Sequence, residues 1–304
     1  MYDLIIIGAG PAGLTAAIYA KRAMLSALLI ERNYMGGGQI INTYEVDNYP
    51  GLPGISGFDL GQKMSDHADK FGIEKVSTEA LSIDVTGDIK TVTTDDGTYE
   101  AKAMIIATGN SPAKLMVPGE EELTGMGVSY CATCDGAFFR DKVTCVVGGG
   151  DVALEDAIFL ARGCKKVYII HRRDEFRGTK VLQDELKNTE NIEIIYDSVV
   201  TEIHGSDVVN SVTVKNVKTN EEKPLSVDGI FIAVGNNPNG GFIPEALETN
   251  EKGYIKAGED GKTNIPGVFA AGDIRDKKLR QVVTAVADGA NCVYSVQEYL
   301  LSRR

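Results

Sequence analysis

Apolar residues in this chain gather in short unbroken runs, and the chemistry-bearing runs end in glycine. Tyr2-Asp3-Leu4-Ile5-Ile6-Ile7 leads into Gly8-Ala9-Gly10-Pro11-Ala12-Gly13 and then an alanine-rich stretch through Arg22 that reads as helix. Ala27-Leu28-Leu29-Ile30 follows and ends at Glu31. Unbroken runs suit strands covered on both faces, so the order strand, turn, helix, strand predicts a dinucleotide-binding unit with a parallel sheet. The glycines permit the tight turn and let backbone approach a pyrophosphate on the helix N-terminus, while Glu31 can accept hydrogen bonds from a ribose.

The pattern then repeats. Val143-Thr144-Cys145-Val146-Val147 precedes Gly148-Gly149-Gly150-Asp151-Val152-Ala153, a helix through Arg162 and the strand Lys166-Val167-Tyr168-Ile169-Ile170. His171 stands 23 residues after Gly148, as Glu31 stands 23 after Gly8. At that register the second unit carries His171-Arg172-Arg173, followed by Phe176-Arg177, in place of an acid. A carboxylate there repels a 2′-phosphate and guanidinium groups bind one, so the second unit is built for NADP(H), with Gly148, Gly150 and Asp151 at its turn.

Each unit also has short alternating strands behind it. Residues 81–100, with an Asp96-Gly97 turn, lead into Ala103-Met104-Ile105-Ile106-Ala107-Thr108-Gly109, and residues 199–227 lead into Gly229-Ile230-Phe231-Ile232-Ala233-Val234-Gly235. Near the end, Gly267-Val268-Phe269-Ala270-Ala271-Gly272-Asp273 reads as a strand tipped by a carboxylate, and residues 281–300 as a long helix without a third nucleotide unit. The economical topology returns this segment to the first domain. The expected fold is α/β, with two Rossmann-like domains, each with a β-meander: residues 1–112 and 241–304 form one, and residues 113–240 are inserted as the other. Both junctions, Ser111-Pro112-Ala113 and Pro238-Asn239-Gly240-Gly241, are rich in chain breakers.

The chain of 304 residues carries a net charge of −12, which argues against nucleic acid or an anionic membrane as partner. No apolar run reaches the roughly 18 residues of a membrane span, and a cytoplasmic location is the expectation. Of the five cysteines only Cys131 and Cys134 have C-x-x-C spacing, which fits a redox pair in a reducing compartment. A zinc site needs two more ligands, and His67, His171 and His204 are isolated, so no metal is expected. Cys145 and Cys164 read as buried small hydrophobes.

Taken together, these motifs resemble the low-molecular-weight thioredoxin reductases over essentially the whole chain. The resemblance is carried by residues 8–13, Gly37-Gly38-Gln39 with Asn48-Tyr49-Pro50-Gly51, Ala107-Thr108-Gly109, Cys131-Ala132-Thr133-Cys134-Asp135-Gly136, residues 148–153, His171-Arg172-Arg173 with Arg177, and Gly272-Asp273 with Arg280-Gln281-Val282. It implies FAD in the first domain, with Gln39, Asn48, Asp273, Arg280 and Gln281 near the flavin or its ribityl chain, and NADPH in the second. It also implies a homodimer and thioredoxin as the protein substrate. By the same resemblance Cys134 faces the flavin, Cys131 attacks the partner disulfide and Asp135 manages the proton. Many members carry Ser, Thr or Ala at Val152 and Glu at Asp156. Loss of a hydroxyl at Val152 lowers NADPH affinity about fivefold.

The layout adds an expectation. Dithiol and NADPH motif lie in the inserted domain and the flavin in the other, so turnover calls for rotation through the two junctions. Two other readings share these residues: the same fold with another donor, such as ferredoxin, or another dithiol-protein acceptor; and a flavin-binding redox sensor without turnover.

Overall fold

The computed structural model describes residues 1–43, 46 and 48–303, without the side chains of Asn42 and Cys134. The chain divides into two compact units, Met1–Ser111 with Asn237–Arg304, and Pro112–Asn236. The return crossing thus falls before residue 240. Asn239 explains this, because its side chain and backbone bond Thr108, Gly109 and Ser111 of the first unit.

The first unit opens with β1 (Tyr2–Ile7), α1 (Pro11–Arg22), β2 (Ala27–Glu31), α2 (Gly57–Lys70) and β3 (Glu74–Ser77). It continues with β4 (Ala80–Asp84), β5 (Lys90–Thr94) and β6 (Gly97–Ile106), and β7 (Asn110–Pro112) leads out. The second unit holds β8 (Val128–Ser129), α3 (Ala132–Asp135), β9 (Val143–Gly148), α4 (Asp151–Ala161), β10 (Lys166–Ile170), α5 (Lys180–Lys187) and β11 (Ile192–Ile195). Its remaining strands are β12 (Ser198–Gly205), β13 (Val209–Asn216), β14 (Glu222–Ser226) and β15 (Gly229–Ala233). Then β16 (Asn236–Pro238) pairs with β7, and β17 (Val268–Ala270) and α6 (Val282–Ser302) follow.

In the first unit the parallel strands run β3-β2-β1-β6, with β17 beside β6. Both faces of this sheet are covered. Leu4, Ile6, Leu29, Ile105 and Phe269 face a core closed by α1 and α6, while Ile5, Ile7, Leu28, Ile30, Met104 and Val268 face the other side. Burying each such side chain contributes about 1.5–3 kcal/mol, which is why the strands carry apolar residues at every position. Helices α1 and α6 cross closely, since a Cβ on Gly289 would stand 2.2 Å from Ala12 O.

The two units differ in how the meander joins. β6 is one continuous strand, antiparallel to β5 through residues 97–101 and parallel to β1 and β17 beyond, so the first meander is fused to the main sheet. In the second unit β12, β13 and β14 form their own sheet beside the parallel order β11-β10-β9-β15-β8. Each parallel sheet gains a fifth strand from outside its repeat, β17 in one and β8 in the other. Because these strands are parallel to their neighbours, the segments after them emerge at the same sheet edge as the glycine turns. Those segments are Ala271-Gly272-Asp273 and Tyr130-Cys131.

Candidate active site

In the first unit Gly8 takes φ +103, and a Cβ there would stand 2.5 Å from Ala107 O. A Cβ on Gly13 would meet Gly8 O at 1.8 Å. Gly10 differs, with φ −74 and nothing nearer its Cβ position than Gly38 Cα at 4.0 Å. Protein packing demands the first and third glycines and leaves the space over the middle one free. Pro11 and Ala12 begin α1, whose N-cap Gly10 has no side-chain cap. Glu31 braces the turn, accepting from Ala9 N–H at 2.7 Å and Asn33 N–H at 2.9 Å.

The other first-unit residues lie on segments tied to one another. Gln39 donates through Nε2 to the side chain (2.6 Å) and the backbone carbonyl of Asn110, and Asn48 donates to Gln281 Oε1 at 2.9 Å. Gln281 and Thr284 form a capping box at the start of α6, where Val282 is the first residue. Arg280 lies 4.0 Å from the Tyr254 ring centroid and donates to the carbonyls of Asp273 and Arg275. Asp273 Oδ1 is buried without a hydrogen-bond partner among the described residues. Burial raises its pKa, opposed by Lys277 and Arg280.

The second unit repeats the glycine geometry. A Cβ on Gly148 would stand 2.4 Å from Ala233 O, whereas Gly150 has nothing within 4 Å. Helix α4 also starts from a glycine without a side-chain cap. Arg172, Arg173 and Arg177 are exposed and form no ion pair among the described residues, in a chain with acidic residues in excess. His171 is buried, and its ring lies under Gly149 with Nε2 2.9 Å from Glu175 O. Burial lowers its pKa. Asp151, in the first turn of α4, accepts from Thr179 N–H through Oδ1 at 2.6 Å. Val152 is exposed in the first turn of α4.

Cys131 follows β8 as the N-cap of α3 and is disulfide-bonded. Cys134 belongs to α3, and its side chain lies outside the described residues. Ser129 organises this end. Its hydroxyl donates to Asp135 Oδ2 at 2.6 Å and accepts from Cys131 N–H at 3.1 Å. Glu120, 2% exposed, accepts from the N–H groups of Leu115 and Met116 and from the Tyr130 hydroxyl, bracing the strand before Cys131. Burial, then the bond to Glu120, pushes Tyr130 up to about 12. Helix α3 packs on α4, since a Cβ on Gly136 would stand 3.0 Å from Leu160 Cδ2. Cys145 and Cys292 are buried free thiols whose pKa values burial raises, and Cys164 is also buried.

Residues 2–289 match the pyridine nucleotide-disulphide oxidoreductase family. The chain belongs to that family. This oxidoreductase is similar to the thioredoxin reductase of Bacillus subtilis (strain 168), 46% identical over 301 residues, 99% of this chain and 95% of that one. Among solved structures it is similar to Lactococcus lactis thioredoxin reductase in its FR conformation, with 44% identity, a TM-score of 0.86, and 99% and 100% of the two chains covered. It is also similar to the thioredoxin reductase of Streptococcus pyogenes MGAS5005, at 48% identity and a TM-score of 0.77, with 99% of each chain covered. The oxidoreductase is a flavoprotein with FAD and NADPH as its cofactors.

The residues present fit those groups. Two uncapped helix N-termini, two middle glycines with free space above them, the orphaned Asp273 oxygen and three unpaired arginines are what dinucleotides satisfy. Sequence reasoning missed Ser129, Glu120 and the buried carboxylate Asp288. Ser129, two positions before Cys131 on β8, was within reach, because alternate residues of a strand point to one face. Glu120 and Asp288 gave no signal, since their partners lie in backbone or in another element.

Proposed function

We propose that the chain is an NADPH-dependent thioredoxin-disulfide reductase, in which NADPH, a proton and oxidised thioredoxin give NADP⁺ and dithiol thioredoxin. In the first unit the turn 8–13, Glu31, Gly38, Gln39, Asn48, Ala107, Thr108, Gly109, Gly272, Asp273, Arg280, Gln281 and Val282 hold FAD. In the second, Gly148, Gly150, Arg172, Arg173 and Arg177 hold NADPH, with Asp151 and His171 supporting the loop that carries the arginines. FAD, when bound, supplies a carrier that accepts a hydride from NADPH and passes the electron pair to a disulfide.

The chain's own residues do the remainder. Reduction of the Cys131–Cys134 disulfide yields two thiols, and Asp135, held by Ser129 at 2.6 Å, exchanges the proton with the dithiol. Cys131, at the exposed N-terminus of α3, then attacks one sulfur of the partner disulfide. The mixed disulfide breaks when Cys134 attacks Cys131, and the second partner sulfur leaves as thiol. Phe138, 73% exposed four residues after Cys134, is an aromatic anchor for a protein partner.

One observation carries the reading: β8 delivers Cys131 to the sheet edge that also presents the glycine turn and arginine loop. Stopped-flow spectroscopy tests it. NADPH bleaches the flavin absorbance and oxidised thioredoxin restores it; a flavin that NADPH leaves oxidised, or that thioredoxin does not reoxidise, ends the reading.

We also propose a homodimer in the cytoplasm. α6 exposes Val283, Tyr294 and Leu301, spaced 11 and 7 residues apart and therefore on one helical face, which a second copy covers. A monomer by light scattering at micromolar concentration sinks this. Among the described residues no helix is long and apolar enough to cross a membrane. Rotation through residues 110–112 and 236–238 follows from the chain layout, and full turnover by an enzyme crosslinked between the units contradicts it.

A further inference from the structure

Arg172, Arg173 and Arg177 are long exposed side chains, so the backbone that carries them sets where their guanidinium groups can reach. That backbone is fastened to the glycine turn. The N–H groups of Arg177 and Gly178 both donate to Gly149 O, at 2.8 and 3.1 Å. The His171 ring lies under Gly149, so close that a Cβ there would stand 2.2 Å from Nδ1. Gln183 Nε2 donates to Gly178 O at 2.8 Å, holding the far end of the loop to α5. Asp174, a carboxylate within the loop, is drawn off to Lys218 at 3.3 Å and leaves the arginines unneutralised.

Asp151 adds a side-chain tie from the turn to the loop. Its Oδ1 accepts from Thr179 N–H at 2.6 Å, across 28 residues of sequence. A carboxylate at this place needs a reason, because a negative charge beside the N-terminus that receives a pyrophosphate opposes the ligand. The bond to Thr179 is such a reason.

We propose that Asp151 is a positioning residue for NADPH selection, fixing the arginine loop at a set distance from the turn that takes the pyrophosphate. It acts on the 2′-phosphate only through the loop. The inference rests on the NADPH reading of the second unit. A first-turn acid also suits the helix dipole, and the choice of variants separates the two roles. Asp151→Asn keeps an oxygen acceptor for Thr179 and loses the charge; Asp151→Ala loses both.

The test is calorimetric titration of the FAD-loaded enzyme with 2′,5′-ADP and with 5′-AMP, read as the ratio of their dissociation constants. The ratio cancels any general change in phosphate affinity. In Asp151→Ala the preference for 2′,5′-ADP falls about fivefold, the worth of one hydrogen bond. In Asp151→Asn it stays at the wild-type value. Thr179→Pro removes the donor of the same bond at a residue whose φ of −60 suits proline, and it reproduces the loss should Asp151→Ala fail to fold. In turnover, Asp151→Ala raises KM for NADPH and leaves kcat unchanged. An unchanged ratio in Asp151→Ala, or an equal fall in Asp151→Asn, overturns the proposal. A wild-type enzyme that does not prefer 2′,5′-ADP overturns the NADPH reading itself and this proposal with it.

Discussion

Replacing Asp288 by Asn is expected to destabilise the first unit and loosen its flavin cradle. Asp288 lies on α6 with its side chain 4% exposed. It accepts from Arg275 through Nε (3.3 Å) and Nη2 (2.9 Å), from Lys277 Nζ (2.8 Å) and from Gly272 N–H (2.9 Å). One carboxylate therefore neutralises two buried cations and holds the turn that carries Asp273. The Asn variant matches its shape and can still accept from Gly272, but it removes the buried counter-charge that Arg275 and Lys277 share, leaving them only the exposed Glu259 at 3.5 Å and Asp273 at 4.0 Å. Breaking a buried pair in this way costs about 3–5 kcal/mol. At about 2–4 °C per kcal/mol for a unit of this size, the midpoint falls by roughly 10 °C. Flavin fluorescence reports release of the cofactor, and circular dichroism follows unfolding independently. Flavin release is expected at lower temperature in step with unfolding. Lys277→Met costs less, because Asp288 then retains Arg275. A shift below about 2 °C in Asp288→Asn, or a larger one in Lys277→Met, refutes the reasoning.

Three further outcomes follow from the same geometry. Gly10→Ala leaves apoprotein stability within about 0.5 kcal/mol, since its φ is ordinary and its Cβ position is open, yet it weakens FAD binding; Gly13→Ala costs about 1–3 kcal/mol of fold stability through its clash with Gly8 O. Apoprotein melting and FAD titration check both, and wild-type FAD affinity in Gly10→Ala contradicts the cradle. Burial, and then neighbouring Glu155, pushes Asp156 up to about 7 from 3.8. Its folded value lies above its unfolded one, so the stability it contributes is complete below 3.8 and is lost as pH rises through about 7. Asp156→Asn should therefore flatten the stability profile across that window in urea melts, and an unchanged slope speaks against it. Cys131→Ser and Cys134→Ser should each keep a yellow flavin that NADPH still bleaches while losing thioredoxin reduction; steady-state turnover in either variant excludes the dithiol route.

The local physics of the two glycine turns was legible along the chain. Buried parallel strands need apolar residues at successive positions, and glycine is required where φ is positive or a Cβ would strike a carbonyl, so β1, α1, β9 and α4 announce themselves by composition and spacing. The arginines just after the register of Glu31 were equally visible, because 23 residues of strand, turn and helix place Glu31 and His171 alike and Arg172 and Arg173 follow directly. Tertiary structure decided what depends on partners distant in sequence. The bond from Thr179 N–H to Asp151 and the packing of the His171 ring under Gly149 join segments that the sequence leaves apart. Asp288 and Glu120 resemble ordinary helix and loop acids in sequence. Only folding removes them from water and surrounds them with donors, and a buried charge takes its role from those partners rather than from its neighbours along the chain.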